Sequence, residues 1–235
     1  MSSIGPSVPR PPRRSQVEKS AETRQRAIQG AITCIHQLGY GATTLDKVAQ
    51  AAGLSRGAIH YQFSTKLELM LAVVQAVYEE DSRVYASALA QKDPAEGFRG
   101  LPEVAWELIS RPSGIAVIEI MLACRSDTTL AAKLREIQTA IDTGAHRQAS
   151  ALMNATGYQA RADRVAIHRL IVAALRGLAI EALVMGDSID TPASLQALLE
   201  ARSYLYNHFA QRTSAAAPGE ASGSPPLQQT ESRKT

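Results

Sequence analysis

Apolar residues recur three and four positions apart along most of this 235-residue chain, the interval that sets them on one face of an α-helix. Ala27, Ile28, Ala31, Ile32 and Ile35 form such a stripe over a helix predicted from about Arg24 to Leu38 and ended by Gly39. A shorter stripe of Leu45, Val48, Ala49 and Ala52 follows. Thr43 or Thr44 stands before it as the hydroxyl that caps its free amides. Gly53 stands after it, where a left-handed residue ends a helix without a steric penalty. Leu54 covers the turn, Ser55 caps again, and the residues up to Tyr61 make a third helix with Ile59 inward. Thr65 and Glu68 form a T-x-x-E capping box that opens a fourth helix, Lys66 to about Leu89, with Leu67, Met70, Leu71, Val74, Val77 and Tyr78 at helical spacing. Two short helices around a glycine turn are the sequence form of a helix-turn-helix, which lays its second helix in the DNA major groove.

The same period predicts helices at about 94–110, 113–125, 128–156, 160–186 and 192–211, broken at Arg111-Pro112, Asp127, Gly157, Gly186-Asp187 and Thr191-Pro192. The expected fold is all-α, about nine helices, with a helix-turn-helix DNA-binding head over 18–66 and a larger helical body over 67–212. Segment 164–185, RVAIHRLIVAALRGLAIEALVM, is apolar almost all round, as a helix buried on several sides is. With the last helix (Leu195, Leu198, Leu199, Tyr204, Leu205, Phe209) it carries more apolar surface than one small bundle hides. The face of Val165, Ile171, Leu175, Leu178 and Ala182 is the expected seat of a second copy. Residues 1–17, with prolines and arginines but no apolar period, are expected to be a disordered basic arm, and 213–235 a disordered tail.

Charge sharpens this division. From Arg10 to Lys66 nine Lys/Arg stand against three Asp/Glu, a local balance of +6 inside a chain of net charge +3, so the remainder sums to −3. A basic end beside an acidic remainder suits phosphate binding at that end. Aromatic residues are 5% of the chain and no alternating β run appears. The longest apolar run, Leu170 to Leu175, stops at Arg176, far short of a bilayer span, and the N-terminus lacks the apolar core of a signal peptide. Cys34 and Cys124 lie in unrelated contexts, without disulfide or metal-ligand spacing; each reads as a small packing residue, with a redox-sensing thiol the alternative. A reducing cytoplasm, no membrane partner, no metal and no cofactor are the expectations. No H-E-x-x-H, P-loop or G-x-G-x-x-G is present, so no catalytic residue is assigned and an enzyme is not expected.

Thr44, Val48, Ala49, Ala52, Gly53, Leu54, Ser55, Gly57, Ile59, Tyr61, Phe63, Lys66 and Leu67 together give the stretch from about Arg24 to Val77 a gapless resemblance to the DNA-binding head of tetracycline-repressor-like (TetR) regulators. The resemblance implies a transcriptional regulator, in first place a repressor, that binds an inverted-repeat operator in double-stranded DNA as a homodimer. Its last two long helices would pair with their copies, and a small apolar inducer in a ligand-binding and dimerisation body would release the operator. A ligand-independent or activating regulator of the same fold is the alternative. Thr43, Thr44, Ser55 and Lys66 are the candidates for phosphate, since helix N-termini present free amides to it. Arg56, Gly57, Ala58, His60 and Tyr61 are the candidates on the recognition helix, with Arg56 long enough to fork onto guanine O6 and N7. His60 and Gln62 depart from the residues usual in the family; His60 either touches phosphate or packs at the helix end. Tyr40 and Phe63 read as core. Arg10, Arg13 and Arg14 either enter the minor groove or stay idle. In the body, Trp106, Met121, Cys124, His146 and Arg176 are candidate ligand residues, and Glu119 and Arg125 are expected to form a structural salt link.

Overall fold

The computed structural model describes residues 15–90, 93–155 and 161–215. Among them the chain is all-α and forms nine α-helices: α1 (Gln16–Ala42), α2 (Leu45–Ala51), α3 (Arg56–Gln62), α4 (Lys66–Leu89), α5 (Pro94–Ser110), α6 (Pro112–Ala123), α7 (Thr128–Ala155), α8 (Arg161–Met185) and α9 (Thr191–Ala215), with a short 3-10 turn at Gly186–Ser188. Each predicted helix is present. The main difference lies at the start of α1, which begins about two turns before Arg24. The Ser15 hydroxyl accepts from Glu18 N at 3.2 Å and the Glu18 carboxylate accepts from Ser15 N at 2.7 Å, a complete capping box. That S-x-x-E signal is in the sequence, but it precedes a polar stretch without a stripe. Residues 15–17, expected in the arm, therefore belong to the helix start; 1–14, including Arg10, Arg13 and Arg14, and 216–235 lie outside the described residues. At its other end α1 loses helical geometry at Gly39 (φ 78°, ψ 162°), as predicted, and Tyr40–Ala42 add one further turn.

The core explains why the head holds its shape. Ala27, Ile28, Ala31 and Ile35 of α1 are buried with Val48 and Ala49 of α2, Ile59 of α3, and Phe63. A Cβ on Gly30 would meet the Ala52 Cβ at 2.9 Å, so α1 and α2 approach more closely there than any other residue allows. The same cluster runs on through Leu69, Met70, Val73, Val74 and Val77 of α4 into Ile120 of α6 and Leu130 of α7. Helix α4 is buried on more sides than one stripe predicts, because α1, α5, α6 and α7 all lie against it. The head and the body are thus joined by one continuous apolar seam.

A second cluster sits at the far end: Ala105 of α5 with Ile167, Ile171 and Leu175 of α8, flanked by Trp106 and by Leu195, Leu198 and Leu205 of α9. This corrects the expected outward face of α8. Ile171, Leu175 and Leu178 point inward, Ala182 is half-buried, and the side chain of Val165 lies outside the described residues. The exposed row is Leu170, Ile180, Leu183, Val184 and Met185, with Tyr204 on α9. A helix that is apolar almost all round has no sequence period to say which side faces in. No helix among the described residues is long and apolar enough to cross a membrane.

Candidate nucleic-acid interface

Helices α2 and α3 carry the candidate residues, and local chemistry sets both. The Thr44 hydroxyl, not that of Thr43, accepts from Lys47 N at 3.3 Å and starts α2. Gly53, at φ +62°, makes the turn, and Arg26 Nη2 donates to the carbonyls of Ala52 and Gly53, each at 2.8 Å, satisfying the C-terminal end of α2. Ser55 accepts from Ala58 N at 3.1 Å and starts α3. Thr65 accepts from Glu68 N at 3.1 Å and starts α4, while the Glu68 carboxylate reaches back to Ser64 N at 2.8 Å. These caps fix two short helices that isolated peptides of such length would not hold.

With Ile59 and Phe63 facing the core, α3 turns Arg56, Gly57, His60 and Tyr61 to solvent. Tyr61 is 83% exposed, an extreme value for an aromatic side chain. A Cβ on Gly57 would meet nothing within 4 Å, unlike the crowded Gly30, so no packing within the chain requires a glycine there. Ala58 is half-buried behind them. Gln62 donates to the Ser20 hydroxyl at 3.0 Å, which gives that departure from the usual residue a structural role in tying α3 to α1. The exposed face is polar and small at its centre, with a guanidinium, an imidazole and a phenol around it.

Three candidate residues have partners that the sequence did not reveal. Thr43 is 1% exposed and its hydroxyl donates to Gly39 O at 2.8 Å, so it is corrected from an interface residue to a structural one. Arg56 is held by Asp46, its Nε and Nη2 donating to the two carboxylate oxygens at 2.6 and 2.5 Å. The hydrogen bond from Arg56 holds the Asp46 carboxyl below the usual carboxylate range. Lys66 Nζ donates to Tyr40 O at 2.5 Å and lies 4.0 Å from the centre of the Tyr40 ring; burial pulls its pKa below that of a free lysine. An ammonium has three donors, so this contact leaves two on Lys66. The basic character of the head is in fact largely built into its fold: Arg24 stacks over Phe63 at 4.5 Å, and Lys47 donates to Ala42 O at 2.9 Å.

Behind this face lies a link that sequence reasoning missed. The Glu119 carboxylate of α6 accepts from Tyr40 N at 3.0 Å, while Lys66 at the start of α4 binds the carbonyl of the same residue. Tyr40 therefore connects α6, the end of α1 and the start of α4. The expected Glu119–Arg125 salt link is replaced by this contact; Arg125 is exposed. Only the position of Glu119 in a largely apolar helix hinted at a special partner.

The four candidate ligand residues whose side chains are described do not share one packing cluster. Trp106 is half-buried between the clusters of α8 and α6, and Arg176 of α8 donates to the Tyr78 hydroxyl at 3.2 Å, which in turn donates to Gln138 at 3.1 Å. Met121 and Cys124 instead pack on the head-side cluster, where Cys124 Sγ meets Ile120 O at 3.5 Å. The side chain of His146 lies outside the described residues. Burial raises the thiol pKa of both Cys34 and Cys124, which suits packing residues. A cleft of about 350 Å³ opens elsewhere, between α1, α4 and the α5–α6 corner, and is lined by Gln25, Ile28, Glu80, Arg83, Arg111 and Ser113. Beside it Arg111 forms an ion pair with Asp81 of α4. No group of three or more potential metal ligands occurs among the described residues.

Comparison with known proteins agrees with this geometry. Residues 27–73 match the family model described as bacterial regulatory proteins, tetR family. The chain is 37% identical over 86 residues to the HTH-type transcriptional regulator CymR of Pseudomonas putida, covering 37% of this chain and 42% of CymR. It is 30% identical over 126 residues to the HTH-type transcriptional repressor AcnR of Corynebacterium glutamicum, covering 53% of this chain and 63% of AcnR. The chain thus spans roughly half the length of these curated relatives, which are regulators and not enzymes. Among solved structures, a TetR transcription regulator from Haloarcula marismortui superposes with a TM-score of 0.63 at 17% identity, over 80% of this chain and 98% of that one, and shares the fold. The multidrug binding protein EbrR, complexed with imidazole, superposes with a TM-score of 0.52 at 27% identity, over 76% and 89% of the two chains.

Proposed function

We infer that this chain, which belongs to the tetR family of bacterial regulatory proteins, is a DNA-binding transcriptional regulator that acts as a homodimer on an inverted-repeat operator. The observation that carries this reading is the outer face of α3: Arg56, Gly57, His60 and Tyr61 are turned to solvent on a helix whose other side is locked into the core. Residues 18–66 act as the DNA-binding head, with Thr44, Ser55, Ala58 and Lys66 beside that face and Thr43 excluded from it. Residues 67–212 act as the ligand-binding and dimerisation body.

The finer reading is a repressor released by a small molecule. Its support is physical: a ligand lowers DNA affinity only if it prefers a conformation whose heads are wrongly placed. Both α4 and the Glu119–Tyr40–Lys66 link connect body to head, so a shift of α6 has a direct route to the start of α2. EbrR, as a drug-binding relative of the same fold, supports a ligand-holding body. Trp106, the single tryptophan, and Arg176 remain its candidates on the body side.

The test is selection of bound duplexes from a random pool, then a salt titration of the selected site. Affinity should fall with log[salt] at a slope of about −0.9 per neutralised phosphate, and Arg56→Ala should lose about 1–3 kcal/mol at one base position. The selected site should be an inverted repeat. Absence of any enriched sequence would sink the reading. A ligand screen by Trp106 fluorescence, with and without saturating operator, tests the finer one, because linkage requires equal and reciprocal weakening.

A further inference from the structure

Arg56 does not approach DNA as a free side chain. Four of the five N–H donors in its guanidinium plane form two edges, a side edge (Nε and one Nη2 hydrogen) and an end edge (one hydrogen on each Nη). Asp46 occupies the side edge with both oxygens, at 2.6 and 2.5 Å. The end edge stays open, and it is the edge that matches guanine O6 and N7. The carboxylate is itself well anchored. Asp46 lies in the first turn of α2, whose Val48 and Ala49 are buried and whose last carbonyls are held by Arg26. The pair is open to solvent, with side-chain exposures of 76% for Arg56 and 51% for Asp46, so folding of the head does not depend on it.

We propose that Asp46 is a specificity-determining positioning residue: it holds the side edge of Arg56 so that the end edge is presented, in one orientation, to a single guanine. This rests on the DNA-binding reading above and adds to it a residue that touches no base. Two opposite effects follow. A guanidinium held before binding loses less freedom on docking, and it rejects bases that do not match its fixed fork. The same carboxylate faces the phosphates and weakens attraction to any sequence. Asp46 therefore trades general affinity for discrimination. A residue with only a structural role would lower both together.

The experiment compares full-length wild type with Asp46→Ala, Asp46→Asn, Asp46→Glu and Arg56→Ala. Each is titrated on the duplex selected by wild type, on its variants at every base position, and on an unrelated duplex of equal length. Asp46→Ala and Asp46→Asn should lose about three- to tenfold in discrimination at the one position that Arg56→Ala also flattens. They should bind the unrelated duplex more tightly, with a salt slope steeper by about 0.9. Asp46→Glu should restore part of the preference. If the Asp46 variants bind every duplex more tightly and keep the wild-type preference at the Arg56 position, Asp46 merely competes with DNA and the proposal is overturned. Loss of preference at some other position overturns it too. If Arg56→Ala itself leaves every base preference unchanged, direct readout by Arg56 fails first, a result distinct from failure of Asp46 alone. Unchanged melting of the variants excludes a folding defect, and the near-isosteric Asp46→Asn guards against one.

Discussion

The head and the far end of the body finish their surfaces differently. In the head, Ile28, Ile35, Val48, Ile59 and Phe63 are sealed inside, and the large hydrophobic side chain that α3 leaves in water is Tyr61, which has a polar tip. Along α8, Leu170, Ile180, Leu183, Val184 and Met185 stand exposed with no polar tips at all. The first surface is polar where it meets water; the second leaves apolar side chains there. In the proposed reading a duplex would satisfy the head, and a second copy of this chain would supply the equally apolar surface that the α8 row calls for.

The largest effect should come from breaking that second surface. In a symmetric dimer Leu183→Asp buries a carboxylate from each copy, and removing an ion from water costs about several kcal/mol in practice. Sedimentation should show self-association weakened by at least about a hundredfold, and operator affinity should fall with it. A wild type that sediments as a stable monomer at micromolar concentration would remove the contrast altogether. Phe63→Ala attacks the sealed surface instead. Losing a fully buried aromatic should cost about 3–5 kcal/mol, read as a lower denaturant midpoint at unchanged slope.

Glu119→Ala tests the seam between the two regions. A hydrogen bond to a charged group is worth about 1.5–3 kcal/mol, this one is part-buried, and Tyr40 N would lose its acceptor. Glu119→Gln, which keeps an oxygen there, should lose less. If both variants melt like wild type, the link carries no strength.

A smaller effect should appear with pH. Burial pushes the Asp81 carboxyl up from 3.8 to about 6, against the opposing pull of Arg111. The folded chain then holds this proton more tightly than the unfolded one, so the contribution is fully present below about pH 4 and lost as pH rises through about 6. Wild type should gain about 1–2 kcal/mol relative to Asp81→Asn between pH 7 and pH 4.5. Parallel stability curves for the two would refute it. Smallest of all is Gly57→Ala. With open space around its Cβ and an α-helical backbone, it should raise stability by about 0.4–1 kcal/mol. It should still weaken operator binding, because the methyl would stand on the face of α3 proposed to meet the duplex. Unchanged DNA affinity would mean that Gly57 is not at the interface.

Much of this was legible because short-range chemistry writes itself into sequence. Thr44, Ser55 and Thr65 start helices because a hydroxyl accepts from an amide three residues on, and Gly53 ends one because its φ is positive. The Ser15–Glu18 box is an equally local signal, but the stretch behind it is polar and carries no apolar stripe. Tyr61 and Gly57 were identifiable as outward positions once Ile59 was placed inward.

By itself, then, the amino-acid order determined the nine helices of the described residues, the helix-turn-helix and the identity of its exposed face, all of which depend on residues within a few positions of each other. Only the tertiary structure decided that Thr43 is buried, that Arg56 is gripped by Asp46, that Lys66 turns onto Tyr40, and that Glu119 meets Tyr40 instead of Arg125. Only it decided that Ile171, Leu175 and Leu178 face inward while Leu183 and Val184 do not. The reason is the same in each case. A long polar side chain chooses among partners, and a uniformly apolar helix among neighbours, by distances that exist only after elements far apart in the chain have packed.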